Sequence, residues 1–216
     1  MFIAWLNPLD GENWPEELQR YLLIKPDIDV KENWEHHPHA LTLYQSILDL
    51  NAQVVVEIGT RKWLSTRIII EALRKTRGHL WTIDKESYPH QLSTESDIQF
   101  VTVIVSRAQD VKWETPIDLF FIDSSHEYID TIEQMDKFYP FLKSPGIMIV
   151  ADSDAFFEQK RAVQDWAEKR RLGYILDMRA QGAAYFLRPE YPKSPREILQ
   201  GKPRIDYWST IELKAS

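Results

Sequence analysis

From about residue 41 onward, apolar runs short enough to be strands alternate with stretches of helical periodicity. Val54-Val55-Val56-Glu57-Ile58 is one such run and stops at Gly59. Across Ser65–Lys75, Ile68, Ile69, Ala72 and Leu73 share one face, the spacing of an amphipathic helix. His79–Asp84, Phe100–Val105 and Ile117–Asp123 read as the next three strands. A helix is predicted over Tyr128–Leu142, a strand over Gly146–Ala151 and a helix over Phe156–Arg171. Tyr174–Met178 and Ala183–Leu187 close the pattern as two strands joined at Gln181-Gly182, a hairpin-like turn. Strands that are apolar throughout, alternating with helices, predict an α/β fold whose parallel sheet is buried on both faces. The closing hairpin adds an antiparallel strand at one edge.

The flanks break this rhythm. Residues 1–40 carry Trp5, Pro8, Trp14, Pro15, Pro26, Trp34 and Pro38. The prolines forbid one long helix, so the segment reads as an irregular cap with a short helix over Glu16–Leu23. Its tryptophans need something to pack against: the core, an acceptor pocket, or a second copy in a homodimer. Residues 189–216, with Pro189, Pro192, Pro195 and Pro203, read as a tail that lies over the domain or frays. The expected organisation is therefore a cap (1–40), one α/β domain (41–188) and a tail (189–216).

Composition narrows the chemistry. At 216 residues, one domain with additions is expected. There is no cysteine, which removes disulfides, zinc–thiolate sites, iron–sulfur clusters and cysteine nucleophiles, and suits the cytoplasm. Acids outnumber bases 33 to 26, giving a formal charge of −7. That overall field does not steer the chain to nucleic acid. Met1–Leu6 is a short apolar stretch without a basic flank, which reads as neither signal peptide nor membrane anchor. The His36-His37-Pro38-His39 cluster lacks zinc-site spacing and reads as a solvated loop leading into a helix from Ala40.

In an open parallel sheet, ligands bind beyond the carboxyl ends of the strands, near the point where strand order reverses. Polar residues stand at those ends: Glu57 and Gly59, then Asp84, then Ser106 to Gln109, then Asp123, then Asp152. Carboxylates are costly in a core, so their repetition at strand ends points to a cleft. An acid at the end of the second strand can accept both hydroxyls of a ribose. The first turn, Glu57-Ile58-Gly59-Thr60-Arg61-Lys62-Trp63, lacks the three glycines that let a backbone approach a pyrophosphate. Its acid suits a ligand bearing an ammonium group. Together these favour S-adenosylmethionine over a dinucleotide.

Here the residues resemble class I S-adenosylmethionine-dependent methyltransferases, especially family 24, which includes O-methyltransferases of sugars and small molecules. The resemblance rests on Glu57-Ile58-Gly59-Thr60 with Ser65-Thr66, on Thr82-Ile83-Asp84, and on Asp118 to Tyr128. It continues through Asp136, Pro140 to Gly146 and Val150-Ala151-Asp152. It implies a Rossmann-like sandwich of seven strands with the last antiparallel. It implies that Glu57, Gly59, Thr60 and Ser65 lie at the methionine end of the cofactor, that Asp84 holds the ribose, that Ser106, Arg107 and Ala108 flank the adenine, and that Asp123 sits beside the cofactor. Some relatives bind Mg2+ or another divalent metal through carboxylates that map to Asp123 and Asp152. The third ligand is often Asn; here Ser153 stands there, with Asp154 next. Relatives usually have glycine where this chain has Trp63.

Each residue also has a plainer reading. Gly59 can be an ordinary turn glycine, and Asp84 and Asp123 can cap following helices. His126 is the natural general base beside Asp123 and Asp152; otherwise it is a helix-start histidine with a structural hydrogen bond. The leading expectation is methyl transfer to a hydroxyl of a small molecule, a sugar or secondary metabolite. The alternatives are a non-catalytic binding or assembly domain, which Trp63 motivates, and a metal-dependent hydroxylase-like enzyme on the same fold.

Overall fold

The computed structural model describes Leu18 and residues 37–61, 63–88, 95–178 and 181–193. The strands are β1 Val54–Ile58, β2 His79–Asp84, β3 Val101–Val105, β4 Ile117–Ile122, β5 Leu142–Ala151, β6 Ile175–Asp177 and β7 Ala183–Leu187. The helices are α1 His37–Asp49, α2 Leu64–Thr76, the single turn α3 Glu95–Ile98, α4 Tyr128–Phe138 and α5 Phe157–Arg170. All seven strands form one sheet in the order β3-β2-β1-β4-β5-β7-β6. Strands β1 to β5 pair in parallel, and β7 runs antiparallel to both β5 and β6. The antiparallel strand predicted from the hairpin thus lies one place inside the edge, with β6 outside it.

Alternation along the central strand divides the interior into two cores. Leu119 and Phe121 point to the face covered by α1 and α2, through Leu43, Ile47, Ile69 and Leu73. Phe120 and Ile122 point to the face covered by α4 and α5, through Met135, Phe138, Val163 and Trp166. Successive strand side chains face opposite ways, so a strand buried on both sides must be apolar throughout. This is why the continuous runs in the sequence were strands. Leu18 is also fully buried, in the first of these cores. Among the described residues no helix is long and apolar enough to cross a membrane.

Most boundaries shift by a residue or so, and three departures from the sequence expectation are larger. Helix α4 ends at Phe138, and a 3-10 turn over Tyr139–Phe141 replaces its predicted last turn. Pro140 has no N–H and cannot continue the helical ladder. Strand β5 therefore begins at Leu142 rather than Gly146, and its pairing with β4 shifts register between Ile117 and Leu119. The third correction is at the histidine cluster. Helix α1 already starts at His37, and His39 is buried, not solvated, with Nδ1 2.9 Å from the Tyr185 hydroxyl on β7. A buried phenol needs a polar partner, and the histidine meets that need. The start of the expected tail lies over the domain: Ser144 donates to the Pro189 carbonyl, and Lys193 Nζ sits 2.6 Å from Asp49. The short helix expected at Glu16–Leu23 lies outside the described residues apart from Leu18, which is helical.

Asp118, at the start of the central strand, holds that end of the sheet together. Its Oδ2 accepts the N–H groups of Gln53 and Val54, each at 2.8 Å, and its Oδ1 lies 2.8 Å from Lys143 Nζ. One carboxylate thereby fixes the beginnings of β1, β4 and β5. Asp118→Ala leaves two amide donors without their acceptor and is expected to lower unfolding free energy by about 2–3 kcal/mol. Lys143→Met, at a more exposed partner, should cost clearly less. Urea unfolding of both variants measures the difference.

Candidate functional site

The register brings the carboxyl ends of four strands level. Ile58 pairs with Ile83 and with Ile122, and Ile122 pairs with Val150. The ladder continues one residue further, with Gly59 N–H donating to Ile83 O at 2.9 Å and Asp123 N–H to Ile58 O at 2.8 Å. Gly59 has φ +98°, and a Cβ built there would lie 1.7 Å from the Asp123 carbonyl oxygen. Its glycine is thus required by its own fold, whatever binds above it.

The chain then turns through Thr60 to Trp63, whose N–H donates to Thr60 O at 2.7 Å. Trp63 caps α2 in the left-handed conformation, φ 64° and ψ 18°. Glycine enters that region freely. Here a tryptophan adopts it, at a cost of roughly 1–2 kcal/mol, and its side chain is buried. Asp84 grips the same turn. Its Oδ2 accepts Thr60 N–H at 2.9 Å, and its Oδ1 accepts Glu86 N–H at 3.0 Å. It caps no helix, since the residues that follow it, 85–88, are not helical. Its carboxylate is half-buried and keeps acceptor sites for a ribose hydroxyl, so the residues present fit that part of the cofactor.

Glu57 sits deeper than the sequence suggested, with no exposed surface. Its Oε2 accepts the hydroxyls of Thr66 at 2.6 Å and Thr82 at 2.7 Å. Thr82 in turn lies 2.6 Å from the Thr60 hydroxyl. Burial pushes the Glu57 carboxyl up to about 7, although the hydroxyls of Ser65, Thr66 and Thr82 pull it the other way. Sequence reasoning missed Thr82, whose signal was a hydroxyl at a fully buried strand position.

After β3, Ala108 is buried, whereas the Arg107 side chain is mostly exposed, 3.6 Å from Asp130. Asp130 was also missed. It accepts from Gln109 Nε2 at 3.1 Å and from Ser125 Oγ at 2.9 Å, joining the loops after β3 and β4.

The structure brings together Asp123, His126 and Asp152. His126 Nε2 is 3.1 Å from Asp152 Oδ2 and 3.6 Å from Asp123 Oδ1. Neither approach is aligned as a hydrogen bond from the ring N–H. Both His126 (φ 60°) and Asp152 (φ 56°) occupy the left-handed region, strain of the kind that collects at functional sites. The imidazole stacks on Phe156, ring centres 4.2 Å apart and nearly parallel. Asp154 stands outside this group, with its Oδ1 2.6 Å from Lys160 Nζ. One ligand atom each from Asp123, His126 and Asp152 lies within 4.8 Å of the others, a set of oxygen and imidazole donors that fits a divalent cation. For metal binding, His126 takes the place the sequence had given to Asp154.

Burial alone would lower the His126 pKa, but the carboxylates of Asp123 and Asp152 override it and hold it up at about 9. A raised folded-state pKa means the imidazolium stabilises the fold fully below the unfolded value of about 6.5, and that this contribution is lost as pH rises through 9. His126→Asn keeps a residue that tolerates the left-handed backbone. In chelator-treated protein, the stability gap between wild type and His126→Asn is expected to be widest near pH 6 and to close by pH 10. Denaturant midpoints at several pH values test this.

Residues 56–153 match a family model described as Methyltransferase domain, Methyltransf_24. The chain is similar to the SAH-bound methyltransferase PaMTH1 of Podospora anserina, with 14% identity, 81% of this chain and 88% of that one covered, and a TM-score of 0.62. It is similar to the O-methyltransferase TomG of Streptomyces achromogenes, solved with SAM, with 18% identity, 83% and 99% covered, and a TM-score of 0.54. It is also similar to CalS11, a TDP-rhamnose 3'-O-methyltransferase of calicheamicin biosynthesis, with 13% identity, 80% and 91% covered, and a TM-score of 0.57. No curated protein matches the chain. At these identities the solved structures establish the shared fold, and the family match adds the sequence of its central segment. Along residues 56–153 and in its fold, this chain resembles the class I S-adenosylmethionine-dependent methyltransferases.

Proposed function

We propose that the protein transfers a methyl group from S-adenosylmethionine to a hydroxyl of a small molecule. The observation that carries this is His126, strained and stacked, set against Asp152 at the mouth of a methyltransferase-type sheet. The cofactor would supply an electrophilic methyl on a sulfonium. Asp84 would hold its ribose beside the Gly59–Trp63 turn. With Nε2–H kept toward the Asp152 and Asp123 carboxylates, the other ring nitrogen of neutral His126 would take the acceptor's hydroxyl proton as the oxygen–methyl bond forms and the sulfur–methyl bond breaks. Asp123 and Asp152 stabilise the imidazolium that results. The remainder of catalysis is alignment of oxygen, methyl and sulfur.

The acceptor side is apolar. Phe156 is 41% exposed beyond its contact with His126, and Phe157 is 74% exposed. A secondary metabolite with a flat apolar part suits such a rim better than a bare sugar. A second reading gives Asp123, His126 and Asp152 to a divalent cation, which would orient the acceptor oxygen and lower its pKa. The clustering of one ligand atom from each of the three within 4.8 Å favours it.

Calorimetric titration with S-adenosylhomocysteine is expected to show micromolar binding, lost at least tenfold in Asp84→Ala. His126→Asn should keep that binding but lose about 10²–10⁴ in transfer rate. With His126 as base, transfer survives chelation and rises between pH 7 and 9. With a cation in place, chelation abolishes transfer and Mg2+ restores it. A folded protein that binds no cofactor would overturn both readings in favour of a binding or assembly domain.

A further inference from the structure

The buried hydrogen bonds beneath the cofactor turn have a direction. Thr82 has one hydroxyl proton, and it donates that proton to Glu57 Oε2. The 2.6 Å contact between Thr60 and Thr82 must then be made with the Thr60 proton. The order is fixed as Thr60 to Thr82 to Glu57, with Thr66 donating to the same carboxylate oxygen from α2. Thr60 is also the residue whose N–H is held by Asp84. The turn between β1 and α2 is therefore gripped twice at one residue: from the side by Asp84 through the backbone, and from below by Glu57 through two hydroxyls.

Glu57 itself is fully enclosed. A buried carboxylate is costly, and a packed apolar residue would serve a strand end at least as well. Its position is explained if the turn needs a hydrogen-bond acceptor beneath it, which the Oε2 atom supplies to Thr66 and Thr82. We infer that Glu57 is a positioning residue, which never touches the cofactor but sets the height of the Gly59–Trp63 turn through Thr82 and Thr60, and so places Asp84 for the ribose. The inference rests on the cofactor reading above and assigns Glu57 a different part in it from contact with the methionine end.

Thr66 and Thr82 provide the test, because both bond the same oxygen and only Thr82 leads on to the turn. Thr66→Val removes one hydrogen bond to Glu57, whereas Thr82→Val removes its bond to Glu57 and the Thr60 contact, so Thr82→Val should lower thermal stability more. Only Thr82→Val should speed hydrogen exchange at the Thr60 amide, and only it should weaken S-adenosylhomocysteine binding, by roughly five- to tenfold, the value of one hydrogen bond. Glu57→Gln, which keeps an acceptor, should retain more affinity than Glu57→Met, which fills the space without one. Equal exchange and equal affinity in the two threonine variants would overturn the inference. If wild type binds no S-adenosylhomocysteine, the cofactor reading fails, yet exchange at Thr60 still decides whether Glu57 holds the turn.

Discussion

The candidate site depends on one close approach, between the end of β1 and the end of β4. The Asp123 carbonyl occupies the space where any side chain at Gly59 would begin. That contact fixes the two central strand ends against each other and sets the direction in which the chain leaves each strand. Beyond Gly59 lies the turn that Asp84 grips; beyond Asp123 lies the short loop that carries His126. Parallel register does the rest, since it sets the ends of β2 and β5 at the same level.

Charge at this edge is uneven in a way the net charge of the chain does not convey. Glu57, Asp84, Asp123 and Asp152 all gather there, with His126 set between Asp123 and Asp152. Such a field suits a cation, whether a sulfonium, an ammonium or a metal ion. It also explains how an imidazole that burial alone would neutralise stays readily protonated.

Much of this was legible in the sequence, for physical reasons that differ by element. Strands β1 and β4 are buried on both faces, and burial writes itself as an unbroken apolar run. The acids at the strand ends stood out because they interrupt such runs. What escaped was set by contacts between distant segments. His39 looked solvated because its partner, Tyr185, is far along the chain. Strand β5 looked shorter because Lys143-Ser144-Pro145-Gly146 has the composition of a turn, although its backbone is carried within the strand. The cation-type cluster took His126 rather than Asp154, since Lys160, in the first turn of α5, reaches back to hold Asp154. Thr82 and Asp130 bond across elements, and no local pattern marks a hydroxyl or an acid for that purpose.

Trp63 gives the cofactor turn a thermodynamic character of its own. A glycine-rich loop is loose before its ligand arrives and must surrender backbone freedom on binding, at a cost of roughly 1–2 kcal/mol for each residue that is newly fixed. The turn here already has a buried aromatic side chain at one end and a carboxylate holding its middle. Most of that ordering has been completed during folding. Ligand association at such a turn carries a smaller entropic penalty, at the expense of the adaptability that a chain of glycines would have offered to ligands of other shapes.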